Sequence, residues 1–296
     1  MSGMGWRSDY IAVDWGTTNR RAYAIGGDGR LADSVEDSRG ILAVEPGGFE
    51  AEVAGIRRRL GDRPMLMAGM VGSNRGWREA PYVPCPVGLD ALAGAILWIE
   101  PGRLGIVPGV SQSGAAGADV MRGEEVQVLG AIAAGLVPPD ALVCHPGTHA
   151  KWMQLAGGRI EAFRTMMTGE IFGLLRTHSI LSAQLREEAG VDEAFRDGAA
   201  AALGGEELLA GLFGVRARHL LGEDEKGGAS YASGLLIGSD VRAGLRLHRE
   251  GPVALIGEPE LCALYAAVLA AAGQESIAVD GAVAFLAGIR MLTEML

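Results

Sequence analysis

Two short turns in the sequence combine glycine with threonine, a pairing that suits phosphate binding. The first reads DWGTTN over Asp14–Asn19 and the second reads PGTH over Pro146–His149, and each lies between two predicted strands. Glycine leaves backbone N–H groups accessible and threonine adds a hydroxyl, and phosphate oxygens accept hydrogen bonds from both. The candidate phosphate ligands are Gly16, Thr17 and Thr18 at the first turn, and Gly147, Thr148 and Lys151 at the second.

Each turn taken alone also has a simpler interpretation. Asp14 ends a strand, where it could hold Mg²⁺ through water, but it could equally cap its own backbone in an ordinary hairpin turn. His145 and His149 are four residues apart, but the proline and glycine between them oppose a helix, so we expect no metal site there. Lys151 lies on a predicted strand and could be a surface residue. Together, the two turns could hold one polyphosphate from two sides.

Two adjacent carboxylates open a predicted helix, and one of them could act as a general base. Glu124 and Glu125 follow Gly123 in the stretch RGEEVQVLG. A carboxylate there could accept the proton of a hydroxyl as its oxygen attacks phosphorus. The placement is also favourable without any chemistry, because acidic residues stabilise the N-terminal end of a helix. Asp119, a few residues earlier, competes for the same role.

Two further segments could bind the organic parts of a substrate. The glycine-rich loop Gly69–Tyr82 contains Arg75, which could bind a carboxylate through two N–H groups, and Trp77, which could stack on a sugar. Residues 256–265 (IGEPELCALY) predict a strand, a glycine turn and a helix start, which would suit a nucleotide base or ribose. An ordinary surface loop and a plain strand-to-helix connection explain the same two segments without any ligand.

The elements that would position these residues form two similar halves. Each half begins with a strand, a Gly-Thr turn, a strand, a glycine turn and a strand, which indicates a weak internal repeat. The proline pair at 138–139 marks the predicted boundary, which gives an N-terminal lobe at 1–137 and a C-terminal lobe at 138–296. The last predicted helix, 282–296, could pack back across the first lobe. We predict an irregular loop over 110–117, where the residues are small and polar.

The composition excludes several classes of protein. The 296 residues are 49% hydrophobic and 21% charged, so we expect a sizeable core and exclude wholesale disorder. The formal net charge of −10 argues against a globally basic nucleic-acid binder. The lysines at 151 and 226 both lie outside any GxxxxGKS or GxxxxGKT sequence, which excludes a P-loop.

Localisation is predicted from the cysteines and the apolar runs. Three widely spaced cysteines form no disulfide framework, which suits a reducing compartment. The longest apolar run is shorter than the roughly 18 residues of a membrane span, and the N-terminus lacks a leader pattern. We therefore expect a cytoplasmic protein with neither a membrane nor a nucleic acid as partner. The oligomeric state stays open, a homodimer included.

In their order along the chain, these segments resemble the sugar kinase/actin/Hsp70 superfamily. The stretch GEEVQVLG followed by PGTHAKWMQLAGG is similar to a junction in glycerol-kinase-type sugar kinases, where a catalytic carboxylate directly follows glycine. The resemblance implies an α/β fold of two actin-like (ribonuclease H-like) lobes with mixed sheets and ATP in the cleft between them. It also points to Glu124 as the base, although those kinases have Asp at this position.

The closer resemblance is to the 2-dehydro-3-deoxygalactonokinase family. Seven ordered motifs of that family match over nearly the whole chain, at Asp14–Thr18, Gly69–Pro86, Met121–Ala131, Pro146–Trp152, Met167–Phe172, Gly234–Gly238 and Leu255–Tyr265. The resemblance implies a kinase that uses ATP and Mg²⁺ to phosphorylate the 6-hydroxyl of a 2-keto-3-deoxy sugar acid, in galactonate catabolism. A kinase for another sugar or sugar acid, a non-catalytic sugar-sensing protein of the same fold and an actin-like filament protein are the alternatives.

The resemblance also implies which residues bind each ligand. Asp14 would bind the metal, and the two Gly-Thr turns would bind the phosphates of ATP. Adenosine would lie near Gly257, Glu258 and Leu261. The candidates for contact with the sugar acid are Ser73, Arg75, Trp77, Arg122 and Arg164, with Arg75 as the first choice for its carboxylate.

Overall fold

The computed structural model describes residue 6 and residues 9–114, 117–223, 227–247 and 250–296. The strands are β1 (Tyr10–Trp15), β2 (Arg20–Ile25), β3 (Leu31–Asp37), β4 (Met65–Gly69), β5 (Tyr82–Pro84), β6 (Leu97–Glu100), β7 (Leu104–Ile106), β8 (Gly109–Gln112), β9 (Asp119–Met121), β10 (Leu142–His145), β11 (Ala150–Ala156), β12 (Arg159–Met166), β13 (Val253–Gly257) and β14 (Ser276–Asp280). The helices are α1 (Phe49–Leu60), α2 (Leu89–Gly94), α3 (Glu124–Ala133), α4 (Thr168–His178), α5 (Glu193–Leu203), α6 (Leu208–Leu221), α7 (Gly228–Gly244), α8 (Pro259–Ala271) and α9 (Gly281–Glu294).

The chain forms two compact units. Unit 1 comprises Met1–Pro139, Ala156–Ala162 and Gly281–Leu296, and unit 2 comprises Asp140–Leu155 and Phe163–Asp280. The predicted boundary after residue 137 lies within two residues of the end of the first segment. The predicted lobes of 1–137 and 138–296 nevertheless differ from the two units, because two later segments also belong to unit 1.

Tertiary contacts explain why these two segments join unit 1. Ile160 forms a β-bridge with Val87, and the Arg159 guanidinium lies 2.8 Å from the Asp90 carboxylate. The second segment carries α9, which packs against α3 of the same unit. Both contacts join residues that are far apart in sequence, so a boundary drawn from local composition does not include them.

The helices α3 and α9 touch each other backbone to backbone. A Cβ atom added to Gly130 of α3 would lie 2.2 Å from the carbonyl oxygen of Ala284. One added to Gly288 of α9 would lie 2.2 Å from the carbonyl oxygen of Val126. A contact this close leaves little room for movement, so α9 fixes the position of the helix that begins at Glu124.

The sheet of unit 1 brings the first Gly-Thr turn to a defined edge. Its strand order is β3-β2-β1-β4-β7-β6. β1 runs antiparallel to β2 and parallel to β4, with Asp14 paired to Ala68 and Trp15 paired to Gly69. Because β1 and β4 are parallel, they end at the same edge of the sheet, which is where open α/β sheets bind ligands. This edge carries Asp14, the first turn and the loop after Gly69.

The sheet of unit 2 repeats this arrangement. Its order is β12-β11-β10-β13-β14, with β10 antiparallel to β11 and parallel to β13. The central strand of each sheet therefore has an antiparallel neighbour on one side and a parallel neighbour on the other, which confirms the predicted internal repeat and the mixed sheets. The second Gly-Thr turn follows β10, at the edge where β13 ends with Gly257.

A third, three-stranded sheet in unit 1 was not predicted. Its order is β5-β8-β9, and β8 (Gly109–Gln112) takes up the first three residues of the predicted loop over 110–117, of which residues 115 and 116 lie outside the described ranges. Apart from Val110, the residues of β8 carry little strand preference of their own, and the strand forms because β5 and β9 supply hydrogen-bonding partners on both sides. The last strand, β9, leads directly into the start of α3.

None of the helices in the described ranges has the length and apolar content needed to cross a bilayer.

Candidate active site

The first Gly-Thr turn is exposed at its tip and braced at its base. The N–H of Gly16 donates to the carbonyl oxygen of Asn19 at 2.9 Å, which closes the turn, and Thr17 and Thr18 are exposed. The indole of Trp15 is buried in the core of unit 1 and donates to the carbonyl oxygen of Arg39 at 2.9 Å. The structure therefore leaves the two threonines accessible on a fixed backbone, as phosphate binding requires.

The segment that follows Arg39 holds this turn from behind. The N–H groups of Gly40, Ile41 and Leu42 donate to the carbonyl oxygens of the turn at 2.9, 3.0 and 3.2 Å. A Cβ atom on Gly40 would lie only 2.3 Å from the carbonyl oxygen of Thr17, so no larger residue fits there without moving the turn. The sequence alone does not point to Gly40, because a single glycine after Arg39 has no feature that connects it to a turn more than twenty residues earlier.

Asp14 lies close to the start of α3. Gly69, at the end of β4, has a φ of 93°, and a Cβ atom there would lie 3.4 Å from Oδ1 of Asp14. A Cβ atom on Gly123 would lie 3.3 Å from the Cα atom of Gly69. The end of β1, the end of β4 and the residue before Glu124 are therefore in contact, which places Asp14 and Glu124 in one region of unit 1.

The three candidate carboxylates differ in their surroundings. Glu124 is half-buried at the first position of α3, and its Oε2 accepts a hydrogen bond from the Arg122 N–H at 3.1 Å. Glu125 is 0% exposed, and both of its oxygens accept from the N–H of Gly123, at 2.9 and 2.7 Å. Asp119 lies on β9, where its Oδ1 accepts from the N–H of Val120 at 2.8 Å. The prediction that lists Glu125 as a catalytic candidate is therefore corrected, because its side chain points into the core.

The buried carboxyl of Glu125 should make the stability of the protein depend on pH. Burial, and to a smaller degree the charge of Glu124, raises the pKa of Glu125 from 4.5 to about 8. Because the folded state holds this proton more tightly than the unfolded state, the stabilisation is complete below about pH 4.5 and is lost as the pH rises towards 8. We expect Glu125→Gln to remove a slope of roughly 1 kcal/mol per pH unit from the free energy of unfolding in this range.

Urea unfolding at several values between pH 5 and 8 measures this slope. The matched control is Glu275→Gln, since Glu275 is an exposed glutamate of unit 2. Parallel pH profiles for Glu125→Gln and the unchanged protein would show that the carboxyl is already ionised in the folded state.

The three predicted substrate ligands on the loop after β4 differ in exposure. Arg75 is exposed. Ser73 is buried, and its hydroxyl donates to the carbonyl oxygen of Met70 at 2.8 Å and accepts from the Arg75 N–H at 3.2 Å. Trp77 stacks on Phe49 of α1, with ring centroids 6.3 Å apart and an angle of 10° between the planes. The predicted sugar contact of Ser73 is therefore corrected, because its buried hydroxyl shapes the loop. Trp77 is half-buried and packs on the core through its contact with Phe49, and its contact with the sugar stays a prediction.

The Arg122 guanidinium joins this loop to the start of α3. Arg122 is 7% exposed, donates from Nη2 to the carbonyl oxygen of Ala80 at 2.7 Å and lies 4.4 Å from the ring centroid of Tyr82. Its Nε and Nη1 atoms are buried and have no hydrogen-bond partner among the described residues. Arg122 therefore clamps the loop rather than facing solvent, whereas Arg164, on β12, is exposed.

The second Gly-Thr turn is held by contacts within unit 2. Thr148 is exposed, and its carbonyl oxygen accepts from the Glu170 N–H at 3.0 Å. Lys151 is buried, and its ammonium donates to the carbonyl oxygen of His149 at 2.9 Å. Gly257 has a φ of 152°, and a Cβ atom there would lie 3.6 Å from the carbonyl oxygen of Pro146. The turn thus lies beside the βα connection that the sequence predicts as an adenosine site.

A cavity of about 440 Å³ adjoins the second turn within unit 2. Gly147 and Thr148 line one side, together with Thr168 and Gly169 at the start of α4. Apolar side chains from α4, α7 and α8 line much of the rest; they are Phe172, Leu236, Ile237, Leu261 and Leu264. The wall also includes the charged residues Arg176 on α4 and Glu188 on the connection between α4 and α5. Of the predicted adenosine residues, Leu261 lines this cavity, whereas Glu258 is exposed at the start of α8.

Comparisons with known proteins agree over nearly the whole chain. A family model described as 2-keto-3-deoxy-galactonokinase matches residues 14–292. The 2-dehydro-3-deoxygalactonokinase of Escherichia coli is 39% identical over 289 residues, which cover 96% of this chain and 97% of that protein.

Solved structures agree with the architecture. A crystal structure from Sinorhizobium meliloti, assigned to the same kinase, matches with a TM-score of 0.89 at 34% identity and covers 97% of this chain and 98% of that chain. Component A of the (R)-2-hydroxyglutaryl-CoA dehydratase from Acidaminococcus fermentans matches with a TM-score of 0.53 at 11% identity, over 97% of this chain and 98% of that chain. The second similarity concerns the fold alone. Together with the two mixed sheets, these matches confirm the predicted actin-like α/β fold.

Proposed function

The chain belongs to the 2-keto-3-deoxy-galactonokinase family, and on this premise we propose how its residues carry out the kinase reaction. It is a kinase that phosphorylates 2-dehydro-3-deoxygalactonate with ATP, a step of D-galactonate catabolism. The proposed acceptor is the 6-hydroxyl, so the products are 2-dehydro-3-deoxy-6-phospho-D-galactonate and ADP. The observation that carries this function is the match to the E. coli enzyme over 96% of the chain.

Each unit carries residues that we propose bind the phosphates of ATP. In unit 1, the backbone and hydroxyls of Gly16, Thr17 and Thr18 bind phosphate oxygens. In unit 2, Gly147 and Thr148 do the same, and the Lys151 ammonium adds positive charge behind the turn. The cavity beside this turn has an apolar section on α4, α7 and α8 that suits a purine base, and Leu261 would contact the base. Gly257 and Glu258 would lie near the ribose.

Asp14 fits the Mg²⁺ that ATP brings to the reaction. Its carboxylate is half-buried at the end of β1, and the missing Cβ of Gly69 leaves space beside Oδ1. Mg²⁺ commonly keeps several waters and takes only one or two protein carboxylates together with phosphate oxygens. When bound, the metal neutralises charge on the phosphates.

Glu124 is the proposed general base. It accepts the proton of the 6-hydroxyl while that oxygen forms a bond to the γ-phosphorus. The bond between the γ-phosphorus and the oxygen bridging to the β-phosphate breaks, and ADP leaves with that electron pair. The rigid α3–α9 contact holds Glu124 in position, which matters because phosphoryl transfer depends mostly on positioning and charge neutralisation.

Arg75 is the proposed partner of the substrate carboxylate, since it is exposed on the loop that leaves the ligand-binding edge of unit 1. We expect Arg75→Ala to raise KM for the sugar acid by about 10- to 100-fold, because a charge-assisted hydrogen bond is lost. KM for ATP should stay the same. Steady-state kinetics with each substrate varied in turn measures both constants.

The matched control for this prediction is Arg78→Ala, which removes another exposed arginine from the same loop. This control should leave both KM values unchanged. Equal increases in KM for ATP and for the sugar acid in Arg75→Ala would remove Arg75 from the acceptor site, and Arg164 would be the next candidate.

A coupled assay of ADP release tests the function itself. The protein is incubated with ATP and Mg²⁺, either alone or with a panel of sugars, sugar acids and 2-keto-3-deoxy acids. We expect rapid ADP release only with 2-dehydro-3-deoxygalactonate. Faster release with another acceptor would assign the protein to that substrate, and release that no acceptor stimulates would favour a filament-type ATPase. Absence of any release would favour a sensor.

The proposed compartment is the cytoplasm. Cys85, Cys144 and Cys262 are all free thiols, and the last two are buried. Free cysteines are typical of a reducing compartment. Both proposed partners, ATP and a sugar acid, are small molecules of that compartment.

A further inference from the structure

A buried carboxylate in unit 2 receives hydrogen bonds from three different elements. Asp240, on α7, is 4% exposed. Its oxygens accept from the indole N–H of Trp152 on β11 at 2.6 Å, from the hydroxyl of Thr168 on α4 at 2.5 Å and from the hydroxyl of Tyr265 on α8 at 2.6 Å. Hydrogen bonds to a carboxylate are stronger than those between neutral groups, so Asp240 fixes these three elements relative to one another.

Thr168 connects this carboxylate to the second Gly-Thr turn. It is the first residue of α4, and the next two residues touch the turn. A Cβ atom on Gly169 would lie 2.7 Å from the carbonyl oxygen of Gly147, and the Glu170 N–H donates to the carbonyl oxygen of Thr148 at 3.0 Å. The path from Asp240 to the turn therefore consists of one side-chain hydrogen bond, to Thr168, and two backbone contacts, from Gly169 and Glu170.

Burying a carboxylate at this position costs more free energy than burying an apolar side chain of similar size. Burial raises the pKa of the Asp240 carboxyl, although the three hydrogen bonds act in the opposite direction. Apolar residues of similar volume often pack as well as a buried polar network or better. Unlike apolar packing, the carboxylate fixes the positions of three hydrogen-bond donors, because it accepts from all three at set distances.

We propose that Asp240 is a positioning residue for ATP binding, which acts through Thr168 to hold the Gly147–Thr148 turn in the conformation that binds phosphate. The inference rests on the proposed function in one respect, namely that this turn binds phosphate. Asp240 itself touches no substrate. Trp152 and Tyr265 also donate to the carboxylate, but among the three donors Thr168 is the one whose next two residues touch the turn, so its hydroxyl is the point at which the effect of Asp240 reaches the turn.

Calorimetric titration with ATP and Mg²⁺, in the absence of any sugar acid, tests this inference without requiring turnover. We expect Thr168→Val to weaken ATP binding about 10-fold, because the hydrogen bond to the carboxylate is lost. Thr168→Ser keeps the hydroxyl and should bind ATP as the unchanged protein does. Asp240→Asn should weaken binding to a similar degree, and the double variant should be no worse than either single one, since both remove the same link.

The control is Ser239→Ala, which removes a neighbouring buried hydroxyl that has no hydrogen-bond partner among the described residues. It should leave ATP binding unchanged. The inference is overturned if Thr168→Val and Asp240→Asn bind ATP normally, or if Thr168→Ser weakens binding as much as Thr168→Val does. If Asp240→Asn does not fold, the Thr168 pair decides alone. A protein that binds ATP in this pattern but phosphorylates no sugar acid would contradict the proposed function and leave this inference standing.

Discussion

Glu124→Gln is expected to lower kcat by about 10²- to 10⁴-fold, the contribution typical of a general base. Glutamine has nearly the same shape as glutamate, and its side-chain oxygen can still accept the hydrogen bond from the Arg122 N–H. It cannot take up the proton of the attacking hydroxyl. The affinity for ATP should therefore stay the same while the rate of transfer falls. Single-turnover kinetics with saturating ATP and sugar acid measures that rate directly.

The matched control for this prediction is Asp119→Asn, which neutralises the other candidate carboxylate outside the core. The side chain of Asp119 accepts a hydrogen bond from the backbone N–H of Val120, the next residue on β9. We expect the loss of its negative charge to change kcat little. A near-normal kcat in Glu124→Gln together with a large loss in Asp119→Asn would transfer the role of base to Asp119.

Gly40→Ala is expected to lower kcat/KM for ATP by about 10²-fold, because small displacements of a positioning group have effects of this size. The added methyl group would lie 2.3 Å from the carbonyl oxygen of Thr17, so the first Gly-Thr turn must move. KM for the sugar acid should stay the same, since Gly40 contacts the phosphate turn and not the acceptor loop. Steady-state kinetics at varied ATP concentration measures the effect.

Gly94→Ala provides the control for this prediction in the same unit. Nothing lies within 4 Å of the Cβ position at Gly94, so the substitution should be silent in the same assay. If Gly40→Ala does not fold, the double variant Thr17→Ala and Thr18→Ala removes the two exposed hydroxyls and tests the turn instead. Normal ATP kinetics in both variants would show that the first turn does not bind phosphate.

The parts of the site that the sequence predicts are those encoded locally. The Gly-Thr turns and the helix start at Glu124 each consist of adjacent residues between recognisable elements. Their order along the chain was enough to indicate the kinase family and the actin-like fold. The repeat of strand directions in the two sheets then follows from the same local pattern.

The parts that the sequence does not predict depend on contacts between distant residues. Gly40 supports a turn that lies more than twenty residues earlier, and Asp240 holds Thr168 from 72 residues away. Ser73 and Glu125 have suitable residue types for a site, but both side chains are buried, and the Ser73 hydroxyl bonds to its own loop. Whether a side chain faces solvent or the core is decided by tertiary packing, which residue type alone does not reveal.

Phosphorus NMR of the reaction product tests the central claim most directly. The protein is incubated with ATP, Mg²⁺ and 2-dehydro-3-deoxygalactonate, and the phosphorus spectrum is correlated with the protons of the sugar acid. We predict one phosphate monoester coupled to the methylene protons at carbon 6, formed in equal amount to ADP. A spectrum that contains only ADP and inorganic phosphate, or an ester at another carbon, would contradict the account.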